Sequence, residues 1–255
     1  MAVVGLKSFG AYLPRLRLER EAIAAATGWA SGKRAGRARG QRACCAWDED
    51  SLTMAVEAAR DCLVGRDCDA VASLVFASTT HPFADRCNAG VVADALDLRE
   101  PLRTSDGAGH QRAGVAALLE ALLGARADDD ARLVVASDRR IARAGSEQEL
   151  RFGHGAAAFL VGAGDDLAAE LVAHASLRAD FVDHYRSADA EFDYSYEERW
   201  VRDEGYLALV PRAIGAALEP AGLAASEVTH CIVQGPQRFA AAVAAAAGIA
   251  AGAVQ

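Results

Sequence analysis

One pattern in the sequence restricts the fold more than any other: a helix–strand–helix order that occurs twice. Leu52, Val56, Ala59 and Leu63 repeat at helical spacing in a helix predicted over 51–64. The continuous apolar run Val71 to Ala77, VASLVFA, reads as a strand buried on both faces, and a helix is predicted over 88–98. The same order returns as a helix over 205–218, a strand over 229–234 and a helix over 238–249. Alternation of this kind predicts an α/β fold. The first copy continues through a strand at Arg103, a Gly-rich turn, an Ala-rich helix and strands at 132–137 and 156–161. The second copy has no counterpart of residues 103–162. The reading is therefore an α/β fold of duplicated βαβα layers whose second half is incomplete, with halves at 1–165 and 166–255 and an insertion at 180–202.

Three stretches carry the candidate chemistry. The first is the polar loop Ser78-Thr79-Thr80-His81-Pro82, at a strand C-terminus where open α/β sheets place ligands. The second is Arg103 to Leu119, RTSDGAGHQRAGVAALL, a strand end, tight turn and helix start. A helix N-terminus offers free N–H groups and a positive dipole end to a thiolate or oxyanion. The turn holds Asp106, Gly109, His110 and Gln111, none of them a usual acyl-accepting nucleophile. The third is Asp180 to Arg202, dense in aromatics and acids and containing His184 and Tyr185; it suits either a specificity insertion over a site or a loop packing its aromatics against the sheet edge. A fourth stretch, Gly32 to Arg42, holds five basic residues and three glycines but lacks the GK[ST] of a phosphate-binding loop. It reads as a solvated loop or as a grip on nucleotide-like phosphates.

Composition narrows the partners. A net charge of −8 opposes nucleic-acid binding. The longest apolar run, Ala240 to Val254, is short and mostly Ala and Gly, so no membrane span is expected. Six cysteines form no CxxC pair and have no histidines at finger spacing, so no metal is expected, and a reducing, cytoplasmic setting is.

Several segments together resemble the thiolase superfamily, and within it the 3-hydroxy-3-methylglutaryl-CoA synthases of archaeal and bacterial type. They are Gly5 to Pro14, Trp47 to Ala59 (WDEDSLTMAVEAA), Ala77 to Leu96 (ASTTHPFADRCNAGVVADAL), Arg112-Ala113-Gly114, Phe152 to Gly162 (FGHGAAAFLVG) and Asp180 to Ala213. The resemblance implies an acyltransferase of lipid metabolism that works on acyl-CoA, with no cofactor beyond that coenzyme A thioester. It also implies a Glu, a Cys and a His that do the chemistry. Their positions fall at Thr79, Gln111 and Gln234, and the Asp of an FGDGA turn is replaced by His154. His81, close to Thr79, is then a candidate base, with Ser78, Pro82, Asp106, Gly109, His110, His154, His184 and Tyr185 as substrate-binding candidates.

Three readings follow from the resemblance. The chain is an enzyme with altered chemistry, such as a Cys-independent aldolase-type C–C lyase; or a non-catalytic subunit or remnant; or an ordinary synthase, which Gln111 opposes. Partners implied are a second copy of the chain or a small zinc-ribbon/OB-fold protein.

Overall fold

The computed structural model describes residues 3–31, 38–128, 130–235 and 237–255. The basic stretch at 32–37 lies outside the described residues, so the phosphate-grip reading of that loop does too. The chain divides into two units, residues 1–171 and 172–255.

The first unit is built on a six-stranded sheet of order β5-β4-β6-β7-β1-β8. Its strands are β1 (Val4–Tyr12), β4 (Val71–Ala77), β5 (Arg103–Gly107), β6 (Ala131–Asp138), β7 (Gly155–Ala163) and β8 (Ala169–Glu170). A separate pair, β2 (Leu16–Glu19) and β3 (Gln41–Cys44), runs antiparallel. β4 is parallel to both β5 and β6, while β6–β7, β7–β1 and β1–β8 are antiparallel. β4 and β6 hold the central positions that their unbroken apolar runs demand. Leu74, Phe76, Leu133 and Val135 are fully buried.

Helices cover both faces. α1 (Arg20–Ser31) follows β2, and α2 (Ser51–Cys62) lies across β1, β6 and β7. α2 opens with a reciprocal cap: Thr53 N–H donates to Asp50 Oδ1 at 2.8 Å, and Asp50 N–H donates to Thr53 Oγ1 at 2.8 Å. Small residues let it sit close to the sheet. A Cβ at Gly10 would fall 2.3 Å from Cys62 N and 2.4 Å from the Ala58 carbonyl, so only glycine fits there. With α3 (Asn88–Ala95), α2 closes the larger core; α4 (Ala113–Gly124) covers a second cluster with Val4, Val134 and Val161. A short α5 (Glu147–Arg151) precedes β7.

The second unit has far less sheet. β9 (His184–Tyr185) and β10 (Tyr194–Ser195) form a two-residue antiparallel pair. α6 (Glu198–Trp200) runs through a π-helical turn at Val201–Tyr206 into α7 (Leu207–Ala221), and α8 (Gln237–Ala246) follows. Phe181 stacks on Trp200 with centroids 4.2 Å apart, and Gly205 lies beneath Phe181, where a Cβ would approach to 2.5 Å. The aromatics at 181–200 thus pack locally.

β8 is short, its pairing on β1 ending at Gly5. One expected strand is corrected. The segment predicted over 229–234 forms no strand; Cys231 makes an isolated parallel bridge to Val254, with Cys231 N–H to the Ala253 carbonyl at 2.7 Å. β2, β3 and α5 were not expected. The mixed α/β architecture agrees with the expected fold class.

Candidate active site

The C-terminal ends of β4, β5 and β6 come together at one edge of the sheet. Register fixes this: Phe76 pairs with Asp106 and Ala77 with Gly107, while Ala77 also pairs with Ala136. Ser78 N–H then donates to the Gly107 carbonyl at 2.9 Å, tying the 78–83 loop to the 106–112 turn. Two stretches separated in sequence are thereby neighbours at the end of a parallel sheet segment.

The loop closes around one carboxylate. Asp138, the last residue of β6, accepts at Oδ1 from Thr79 N–H at 2.7 Å and from the hydroxyls of Ser78, Thr79 and Thr80 at 3.0 Å each. Thr80 Oγ1 in turn accepts from Arg139 N–H at 2.9 Å, and Ser51 Oγ donates to the Thr80 carbonyl at 2.6 Å. Thr79 therefore has no carboxylate of its own, but one is delivered to its backbone from the neighbouring strand.

His81 packs edge-on against Phe76 with centroids 4.7 Å apart, and its Nε2 lies 3.2 Å from the Phe76 carbonyl. A carbonyl can only accept, so Nε2 carries the proton and Nδ1 is the basic nitrogen. Asp106 is tied down. It accepts from Asn88 N–H at 2.8 Å, Asn88 Nδ2 at 2.9 Å and Ala89 N–H at 2.7 Å, binding β5 to the start of α3. Burial pushes its carboxyl up, but these bonds outweigh that and hold it below the usual range. Pro82 is exposed beside the loop.

At the turn, Gly109 has φ of +92°, a conformation that favours glycine. Ala113 N–H donates to the His110 carbonyl at 3.0 Å, and the N-cap residue Arg112 makes no side-chain cap bond. α4 begins close to the sheet, because a Cβ at Gly114 would stand 2.9 Å from the Ala136 Cβ. His110 is exposed and Gln111 half-buried.

His154 sits elsewhere in the first unit and holds two segments together. It is buried; Nδ1 accepts from Cys45 N–H at 2.9 Å and Nε2 donates to the Arg140 carbonyl at 3.2 Å. Burial lowers its pKa, so it is a neutral crosslink with both nitrogens engaged. Beside it, Glu49 accepts from Ala46 N–H at 2.6 Å and from the Tyr12 hydroxyl, which pushes the Tyr12 phenol up to about 12. Burial pushes the Cys45 thiol up to about 11.

The structure thus gathers Ser78, Thr79, His81, Asp106, Gly109, His110 and Gln111 along one sheet edge. His184, Tyr185 and Gln234 belong to the second unit. Sequence reading missed Asp138. Its signal was a lone carboxylate one residue past the strand predicted over 132–137, a position that a solvated turn would also fill.

No protein-family model matches the chain. Its sequence is similar to hydroxymethylglutaryl-CoA synthases. That of Methanocella arvoryzae is 28% identical over 238 residues, 91% of this chain and 67% of the relative; that of Aeropyrum pernix is 27% identical over 241 residues, 91% and 65%. The chain spans about two thirds of the length of these relatives. Among solved structures, 3-oxoacyl-(acyl carrier protein) synthase III from Pseudomonas aeruginosa superposes with a TM-score of 0.84 at 23% identity, over 99% of this chain and 82% of that one. OleA of Xanthomonas campestris with bound lauric acid and lauroyl-CoA gives 0.82 at 19%, over 99% and 84%. An MvaS structure in complex with 3-hydroxy-3-methylglutaryl coenzyme A gives 0.79 at 20%, over 95% and 62%.

Proposed function

We propose, for this thiolase-fold, hydroxymethylglutaryl-CoA synthase-like chain, that it binds acyl-CoA thioesters at the edge formed by the 78–83 loop and the 106–112 turn and holds no acyl group on a cysteine. The support is chemical and comparative. Solved relatives in this fold carry lauroyl-CoA or 3-hydroxy-3-methylglutaryl coenzyme A. The start of α4 offers N–H groups suited to an acyl oxygen. The basic segment Arg139-Arg140, leading out of Asp138, suits the phosphates of coenzyme A.

The observation that carries the proposal is the carboxylate clamp. Where the resemblance expects a Glu to remove a proton, Thr79 hands its N–H and hydroxyl to Asp138. Where it expects the acyl-accepting Cys, Gln111 offers an amide that is not a nucleophile. Cys-dependent condensation therefore has neither its base nor its acceptor. A thioester bound here and turned over by proton transfer alone, as in an aldolase-type cleavage, would use His81 at Nδ1, the basic nitrogen beside the loop. A non-catalytic subunit remains the alternative, and turnover separates the two.

Calorimetric titration with acetyl-CoA tests the binding. Heat of binding at sub-millimolar ligand, weakened by Asp138→Ala, is expected; no heat and no thermal shift at millimolar acetyl-CoA would overturn it. Mass spectrometry after incubation is expected to find no acetyl group on any cysteine. Gln111→Cys alone is expected not to restore 3-hydroxy-3-methylglutaryl-CoA synthesis, because Thr79 still cannot take the methyl proton.

A further inference from the structure

His154 holds the margin of the first unit by more than its ring. Its backbone N–H donates to the Ala43 carbonyl at 3.2 Å, and its Nδ1 accepts from Cys45 N–H at 2.9 Å. One residue thus makes two bonds to the end of the β2–β3 ribbon. Two arginines add to them: Arg42 Nη1 donates to the Phe152 carbonyl at 2.9 Å, and Arg20 Nε to the Leu150 carbonyl at 2.7 Å. β2 and β3 pair only with each other, and neither strand contains a fully buried residue. Polar bonds to residues 150–154 therefore hold the ribbon where apolar packing does not, which is the make-up of a segment that opens locally.

A proton acts differently on the two ring nitrogens. Nε2 already donates to the Arg140 carbonyl at 3.2 Å, so protonation of the ring leaves that bond in place. Nδ1 has one lone pair, and Cys45 N–H uses it. A proton there turns an acceptor into a donor that faces another donor. The groups around the ring oppose this while the ribbon is seated. Arg42 of β3 and Arg139 of the segment after β6 repel an imidazolium, and Arg140, its guanidinium 4.2 Å from the Phe152 ring centre, is a third cation there. Glu49, from the turn before α2, attracts one, but its carboxylate is occupied by Ala46 N–H and the Tyr12 hydroxyl of β1. In α5, Arg151 is paired with Glu147, and Glu149 accepts from Gly145 N–H at 2.7 Å. The Cys45 thiol lies 3.6 Å from Met54 Sδ of α2. Burial first, then the arginines, hold the ring's pKa below its ordinary 6.5.

We propose that His154 is an acid-sensitive latch: a proton taken up at Nδ1 breaks the bond to Cys45, frees the β2–β3 ribbon from residues 150–154 and uncovers the Cys45 thiol, while the six-stranded sheet stays folded. The proton comes from solvent and returns to it when the latch closes. The bond to Arg140 survives, so Asp138 and the Thr79 loop keep their places. Nothing in the latch depends on acyl-CoA binding. Once open, the imidazole is in water and titrates at its ordinary value. The open population should then rise as pH falls through 6.5, by up to about 10-fold between pH 7.5 and 5.5.

The full-length chain is pulsed with 4,4′-dithiodipyridine, a thiol reagent that works in acid, at pH 7.5, 6.5 and 5.5, and labelled cysteines are located by peptide fragmentation. Rates are divided by those of the urea-unfolded chain at the same pH, which removes the intrinsic pH dependence of the thiols. Cys62 is the internal control, being 1% exposed in the same core and not held by the latch. Cys45 labelling is expected to quicken several-fold in acid while Cys62 stays protected. In His154→Asn, whose side-chain oxygen can accept from Cys45 N–H without titrating, the rise at Cys45 is expected to vanish. The unfolding midpoint shows whether that variant is folded. If it is not, amide hydrogen exchange of the natural protein decides, with residues 41–46 losing protection in acid and 71–77 keeping it. A flat Cys45 rate, a rise shared by Cys45 and Cys62, or an equal rise in folded His154→Asn would overturn the proposal.

Discussion

Residues 71–77 and 229–234 occupy matching places in the duplicated pattern, yet one is a central strand and the other is not a strand. VASLVFA lies between two parallel partners, with Leu74 and Phe76 fully buried. THCIVQ finds a single bridge at Cys231, and its Ile232 is 84% exposed. Both stretches have apolar character; the difference is neighbours. A strand is stabilised by ladder bonds and cross-strand packing, so β-propensity without adjacent strands leaves the backbone irregular. The first unit supplies those strands from its own sequence. Among the described residues, the second supplies only the Val254 bridge to this segment.

The sharpest way to break this comparison is to delete packing at the buried member of the pair. Phe76→Ala should cost about 3–5 kcal/mol, the range for emptying a fully packed aromatic site. Urea unfolding followed by circular dichroism reads it as a shift in midpoint without a change in slope. A loss under about 1 kcal/mol would mean that β4 is not the packed centre of its sheet.

His154 tests how tightly the first unit is sewn together. His154→Ala leaves Cys45 N–H and the Arg140 carbonyl without their partner, at a cost of about 2–3 kcal/mol near pH 7.5. The pH dependence has a definite sign. Burial depresses the folded-state pKa of His154 below its ordinary value of 6.5. Its contribution is therefore fully present above 6.5 and is lost as pH falls toward the folded-state value, because the unfolded chain takes up the proton first. Unfolding curves from pH 7.5 down to 5 should show this slope in the natural protein and a shallower one in His154→Ala. Equal slopes would show that His154 titrates normally.

What sequence could tell differed between the two regions for the same reason. Unbroken apolar runs marked β4, β6 and β7 to within about two residues, since burial on both faces leaves a plain compositional trace. The end of such a run also marks a sheet edge, which is why the Thr79–His81 loop and the Asp106–Gln111 turn stood out as a site. β2 and β3 were invisible because LRLE and QRAC are only four residues long, mix apolar with charged residues and pair only with each other. Long-range bonds were equally hidden. His154 meets Cys45 across 109 residues, and Asp138 meets Thr79 across 59. Hydrophobic periodicity does not encode which distant polar groups will meet.

The smallest expected effect sharpens the comparison from its other end. Ile232 matches the buried part of β4 in pattern but faces solvent, so Ile232→Ala removes no packed side chain. The expected change in unfolding free energy is under about 0.5 kcal/mol, roughly an order of magnitude below Phe76→Ala. The neighbouring Cys231 supplies an internal standard. It is buried with Ala244, Ile249 and Ala253, so Cys231→Ala should cost more than Ile232→Ala, although it removes fewer atoms. Measured together by urea unfolding, the three variants should rank Phe76, then Cys231, then Ile232. If Ile232→Ala were as costly as Phe76→Ala, residue 232 would be buried in solution, and the segment would be a packed strand that pairs with something other than the Val254 bridge. Its side-chain exposure would then have to be the first point revised, because no ladder bond lost by an alanine could account for several kcal/mol.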